Sequence, residues 1–366
     1  MGLTAHSVGI KAVDSGLVIK KQTQEDKVVA LAGNPNVGKS TVFNALTGMN
    51  QHTGNWPGKT VANAQGYCST GKQSYVMVDI PGTYSLMAHS TEEEVARNFI
   101  CFGGPDAVVV VCDATCLERN LNLVLQTIEI SSRVVVCVNL MDEAKRKNIR
   151  LDLPLISKRL GVPVVGATAR KKKTLDEMMN ALDGVVSGEI KTSPLTVVYP
   201  VEEAVARLEP VVREKAEGKL NSRWLSLKLL DADESLIREI DAYLGEEFLK
   251  DEELVNELSA AKEKLLEQEI DGDRFKDMIV SALVKSAEEV CAEAVAFENH
   301  EYAASDRKLD KILTSRLTGY PVMILLLAMV FWLTITGANY PSQLLADGLF
   351  WVQDRLTELF VYLNAP

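Results

Sequence analysis

The run Gly33-Asn34-Pro35-Asn36-Val37-Gly38-Lys39-Ser40 constrains this chain more than any other feature. It fits GxxxxGK[ST] in full, behind the β-branched run Val28–Ala32 and ahead of a helical pattern at Ser40–Thr47. In that context the string is a phosphate cradle. Its glycines let backbone N–H groups turn inward, and the helix that follows aims its positive dipole end at the same point. Lys39 is then placed to neutralise β- and γ-phosphate charge and Ser40 to ligate Mg2+, with Thr41 beside them. A strand-to-helix cradle of this kind needs neighbouring parallel strands.

The sequence supplies them. Tyr75–Asp79, Ala107–Cys112, Val134–Asn139 and Val162–Gly166 are mostly apolar throughout, as strands covered on both faces are. Helical patterns alternate with them at Glu92–Phe102, Leu117–Glu129, Leu153–Leu160 and Thr174–Gly184. This alternation predicts a doubly wound α/β fold of the Ras-like P-loop type, with a mostly parallel sheet. Six cysteines without a CxxC pair, several in these apolar runs, read as reduced core residues.

Further motifs choose the nucleotide. Asp79-Ile80-Pro81-Gly82 closes a strand as the DxxG of GTPases does. It puts Asp79 near Mg2+ through a water and the Gly82 N–H at the γ-phosphate. Asn139-Leu140-Met141-Asp142 fits an NKxD-type base reader with Leu in place of Lys, at the strand end where open α/β sheets bind ligands. The Asp142 carboxylate accepts from guanine N1–H and the 2-amino group, which adenine lacks. Ala167-Thr168-Ala169 ends the last strand, where a short loop meets guanine O6. The expected substrates are therefore GTP and GDP.

Several strings go beyond a generic GTPase. Gly33–Asn36, Gly54-Asn55-Trp56-Pro57-Gly58-Lys59-Thr60, Asp79–Leu86 and Leu117-Glu118-Arg119-Asn120 together resemble the bacterial ferrous iron transport protein B family. The resemblance implies that Thr60 is the switch threonine reaching Mg2+ and the γ-phosphate. It makes Gly54–Lys59, with Gly58, the first switch and Thr83–His89 the second. It implies K+ beside Asn36, and a catalytic set of Lys39, Asn36, Thr60 and Gly82. Thr83 stands where Ras-like enzymes carry a water-orienting Gln, so slow, K+-stimulated hydrolysis is expected. Lys59 and Ala62 depart from the family's usual residues. Trp56, among Gly and Pro, reads as part of an exposed switch loop.

Residues 1–26 read as a flexible lead-in with a short strand at Leu17–Ile19, and 27–190 as the GTPase domain. Residues 191–306 read as a helical domain without a convincing strand, which the resemblance likens to a dissociation-inhibitor-like region. Residues 307–366 read as a basic linker, a transmembrane helix near 321–338 and an amphipathic tail. Pro321–Ala338 lacks charge and, at about 1.5 Å per residue, spans about 27 Å. Arg307, Lys308, Lys311 and Arg316 precede it, which puts the N-terminal side in the cytoplasm; the resemblance implies a bacterial inner membrane. The net charge of −11 argues against nucleic acid.

The resemblance also implies partners: a polytopic permease domain absent from this sequence, small accessory transport proteins and a second copy of the chain. The chain is accordingly expected to be a fragment or the product of an interrupted gene. The competing reading is a soluble potassium-dependent GTPase of ribosome assembly or tRNA modification, which leaves the apolar segment without a purpose. His6, His52, His89 and His300 show no metal-ligand spacing, Glu92–Glu94 suit a helix start, and Lys171–Lys173 a solvated loop.

Overall fold

A computed structural model describes residues 17, 19–48, 51–56, 61–88, 90–245, 247–297, 313 and 315–362. Residues 1–298 form one compact unit and 299–366 a second. In the first unit, a seven-stranded sheet runs in the order β2-β3-β4-β1-β5-β6-β8. The strands are β1 (Lys27–Gly33), β2 (Gln51–Asn55), β3 (Ala62–Ser69), β4 (Ser74–Asp79), β5 (Ala107–Asp113), β6 (Val134–Asn139) and β8 (Val164–Gly166). The pairs β1–β4, β1–β5, β5–β6 and β6–β8 are parallel; β2–β3 and β3–β4 are antiparallel.

Helices cover both faces, which is why the central strands read as unbroken apolar runs. Val29, Leu31, Val109 and Val111 point to the face covered by α1 (Lys39–Thr47) and α6 (Lys172–Ser187), where they meet Phe43 and Met178. Val28, Ala30, Val108 and Val110 point to the other face, covered by α2 (Thr91–Phe102), α3 (Leu117–Ile130) and α5 (Leu153–Leu160). The period of two along each strand assigns these residues to their faces.

That second core continues without a break into the helices α7 (Glu202–Lys215), α8 (Ser222–Asp231), α9 (Glu234–Leu244), α10 (Glu252–Glu267) and α11 (Gly272–Ala292). Each of α8 to α11 starts at an Asn or Asp whose side chain accepts a backbone N–H of the first turn. The short helix α4 (Met141–Arg146) follows β6.

At four points the structure corrects or adds to these expectations. The stretch after residue 200 does contain a strand: β9 (Val295–Phe297) pairs antiparallel with β7 (Ile149–Leu151). The sheet carries two antiparallel strands, β2 and β3, that lack the β-branched runs by which the others were recognised. Leu17 and Ile19 lie in no strand; both are buried in the core, and Val18 falls outside the described residues. Finally, the apolar segment and the tail are one helix, α12 (Arg316–Tyr362), rather than a span and a separate tail. Within it Thr318–Gly337 is long and apolar enough to cross a membrane, with mean hydropathy 2.0 and none of it buried.

Candidate nucleotide site

Strand order reverses around β1, with β4 on one side and β5 on the other. The crevice at the carboxyl ends of β1, β4 and β6 is where such sheets accept ligands. Gly33–Gly38 turns there between β1 and α1. Asn36 and Gly38 both take left-handed backbone, with φ of 68° and 83°. Asparagine tolerates that region; at Gly38 a side chain fails twice, because a Cβ would also lie 2.4 Å from Asn139 Nδ2.

Asn139, at the end of β6, is the tie between two loops. Its Nδ2 donates to the Val37 carbonyl at 3.0 Å and its Oδ1 accepts from the Ala169 N–H at 3.1 Å. It therefore shapes the phosphate loop and the 167–169 loop together, a role that the motif alone did not reveal. Leu140 takes φ of 62°, and Asp142 follows in the first turn of α4, exposed. Ala167 is buried, and the Thr168 N–H is bonded to the Thr174 hydroxyl at 3.1 Å. A contact from this N–H to guanine O6 requires that bond to be exchanged.

Lys39 opens α1. Its ammonium is ion-paired with Asp79 at the end of β4 and donates to the Ile80 carbonyl at 2.6 Å. Burial pushes the Asp79 carboxyl above its ordinary range, and the Lys39 charge offsets part of that. Ser40 and Thr41 sit exposed on the first turn of α1. Gly82 lies against the phosphate loop, where a Cβ would stand 3.4 Å from the Pro35 Cα. Asn34 is buried with its Nδ2 unpartnered, a donor turned to no protein acceptor. The Ser40 hydroxyl and the Asp79 carboxylate are hard oxygen donors, the chemistry Mg2+ selects. Among the described residues no group of three or more His, Cys, Asp or Glu could hold a metal.

Pro57, Gly58, Lys59 and Thr60 lie outside the described residues, as does His89. Trp56 is a correction: it is 3 % exposed, edge-to-face with Phe99 of α2 at 5.4 Å, and its backbone N–H bonds the Val61 carbonyl at 2.7 Å. It is core, because α2 supplies an aromatic partner that local composition does not reveal. Thr83 is buried; its N–H bonds the Gly33 carbonyl at 3.2 Å, and its hydroxyl lies 2.5 Å from the Ser85 carbonyl and 3.2 Å from Glu93 Oε1. Of the cysteines, Cys116 is exposed, and burial pushes the Cys137 thiol up to about 12.

Residues 27–182 match the family model described as ferrous iron transport protein B, and 199–296 match the FeoB cytosolic helical domain. The chain belongs to the ferrous iron transport protein B family. A FeoA/FeoB fusion protein of Porphyromonas gingivalis is 30% identical over 95% of this chain and 40% of its own length. The Fe(2+) transporter FeoB of Escherichia coli is 31% identical over 88% of this chain and 41% of its own length. The chain thus spans about 40% of these relatives. The GDP form of the cytosolic domain of the T. maritima FeoB iron transporter aligns at 30% identity and TM-score 0.60, over 74% of this chain and 98% of that one. A GDP-bound mutant of the S. thermophilus FeoB G-domain aligns at 29% identity and TM-score 0.62, over 74% of this chain and 100% of that one. This FeoB-family chain carries the P-loop GTPase fold.

Proposed function

We propose that the chain binds GTP and GDP in this crevice, hydrolyses GTP, and serves as the nucleotide-dependent regulatory part of a ferrous iron transporter. The observation that carries the reading is convergence. The phosphate loop, Asp79, Gly82 and Asp142 meet at the carboxyl ends of β1, β4 and β6, with Asn139 bonded to the loops on either side.

In this reading the backbone N–H groups of Gly33–Gly38 hold phosphate oxygens. Lys39 leaves Asp79 for the β- and γ-phosphates, and Asp79 and Ser40, with Thr60, hold the metal. The Gly82 N–H meets the γ-phosphate. Asp142 reads guanine, with Ala167, Thr168 and Ala169 along the base. Asn36 holds K+. Mg2+ and K+, when bound, would supply positive charge that offsets the phosphate charge of the transition state. Thr83 has its hydroxyl committed to Ser85 and Glu93, so hydrolysis is slow and relies on backbone placement.

The Thr318–Gly337 segment supports insertion in a bacterial inner membrane, and the basic residues before it support a cytoplasmic first unit. Its partners in this reading are a polytopic metal-conducting region, small accessory transport proteins and a second copy of the chain.

The test is GTP hydrolysis by the full chain in detergent with Mg2+, in KCl and in NaCl at equal ionic strength, with Asn36→Ala as control. Faster turnover in K+ that vanishes in the variant supports the whole site. Equal rates in both salts remove the K+ role. No GTP binding at all overturns the reading.

A further inference from the structure

The second switch lies along one face of α3, held by side chains at helical spacing. The Arg119 guanidinium stacks over the Tyr84 ring, 4.5 Å from its centroid. Two turns on, Gln126 Oε1 accepts from the Leu86 N–H at 2.6 Å and from the Ser85 hydroxyl at 3.1 Å. Gln126 Nε2 in turn donates to Asn122 Oδ1 at 3.1 Å, which fixes the amide's orientation. Positions 119, 122 and 126 fall on one stripe of the helix. Gln126 is buried, so its bonds to the switch are shielded from competing water.

The segment held this way begins at the phosphate loop. The Thr83 N–H is bonded to the Gly33 carbonyl and Gly82 abuts Pro35. With no free hydroxyl at Thr83, placement of the Gly82 N–H depends on how the backbone after it is anchored. Three groups anchor it: the Gly33 carbonyl and Glu93 of α2 hold Thr83, and Gln126 Oε1 of α3 holds Ser85 and Leu86; α3 also packs on α8 and α11.

We infer that Gln126, oriented by Asn122 and assisted by Arg119, is a positioning residue for GTP hydrolysis: it fixes Ser85–Leu86 and thereby keeps the Gly82 N–H at the phosphate loop. The inference rests on the hydrolysis reading above. It also makes α3, beside α2, an element through which the helical region meets the switch.

The experiment measures steady-state GTP turnover and GDP affinity of the full chain in detergent, for the wild type and for Gln126→Leu, Gln126→Glu and Arg119→Ala. Gln126→Leu loses two hydrogen bonds to the switch and is expected to lower kcat about tenfold, with KM and GDP affinity within about twofold. Gln126→Glu keeps the acceptor, with the Asn122 amide turned to donate, and is expected within about threefold of wild type. Arg119→Ala, at an exposed site, is expected to lower kcat about two- to threefold, and carries the test if Gln126→Leu does not fold. Unchanged kcat in Gln126→Leu and Arg119→Ala overturns the inference. So does a parallel loss of kcat and GDP affinity, or a Glu variant as impaired as Leu. An active wild type with insensitive variants removes this role alone; an inactive wild type removes the hydrolysis reading and this role with it.

Discussion

The nucleotide face and the helical region of the first unit are specified in different ways. At the nucleotide face the backbone itself makes the demands. Gly38 must accept left-handed φ and leave room for an amide, and Asn139 must donate to one loop while accepting from another. In α7 to α11, residues such as Leu208, Ile240, Leu265 and Leu283 answer only to burial and shape. The first region depends on residue identity; the second depends on pattern, and tolerates apolar exchange of similar volume at less than about 1.5 kcal/mol.

The contrast is most exposed at Gly38. Gly38→Ala combines backbone strain with a clash against Asn139, and is expected to weaken nucleotide binding by roughly 100-fold in a fluorescent-GDP titration. Leu265→Met in α10 should leave that titration unchanged. Equal binding by Gly38→Ala and wild type breaks the comparison.

Next comes Arg97, where one identity-specific contact crosses into the pattern-specified region. The guanidinium, on α2 and 1% exposed, donates to Asp233 at 3.2 Å and to the Ser235 hydroxyl at 3.3 Å, at the start of α9. Arg97→Ala leaves a void and takes the cation from Asp233, which keeps only its helix-cap bonds, and is expected to cost about 2–4 kcal/mol in denaturant unfolding. A loss below about 0.5 kcal/mol would assign the seam to apolar packing alone.

Glu129 gives a smaller, pH-dependent effect. Burial pushes its carboxyl above the usual range, against the pull of the Tyr199 hydroxyl and the charges of Lys228 and Arg223. The folded state thus holds this proton more tightly than the unfolded state. The favourable contribution is complete below the ordinary carboxyl pKa and is lost as pH rises through the folded value. Glu129→Gln is expected to melt above wild type at about pH 7.5 and together with it near pH 4. The reverse order at neutral pH would show that the ionised form is the better paired one.

Smallest is the exposed run Lys171–Lys173, at the start of α6. Replacing all of it with Ala should change stability by less than about 0.5 kcal/mol, measured by thermal melting.

The same division governs what the sequence made legible. Val134–Asn139 and Leu153–Leu160 appear with the ends their apolar pattern gave. The phosphate loop was readable because few residues satisfy its backbone. Gln51–Asn55 and Ala62–Ser69 were not, since Gly, Gln and Asn carry no strand signal and their pairing is decided by β4. Trp56 and Gln126 escaped for a related reason. One finds its ring partner on α2 and the other its backbone donor 40 positions away, and sequence spacing does not encode such meetings.

The clasp between β7 and β9 sets an order of assembly. Ile149–Leu151 pairs with Val295–Phe297, and the Asp152 N–H bonds the Ala294 carbonyl at 2.8 Å. Everything between them is a closed excursion that returns to the strand it left. On the ribosome, β7 emerges long before its mate exists. A nascent chain stalled ahead of Val295 carries every strand of the nucleotide sheet and lacks the β9 half of the clasp.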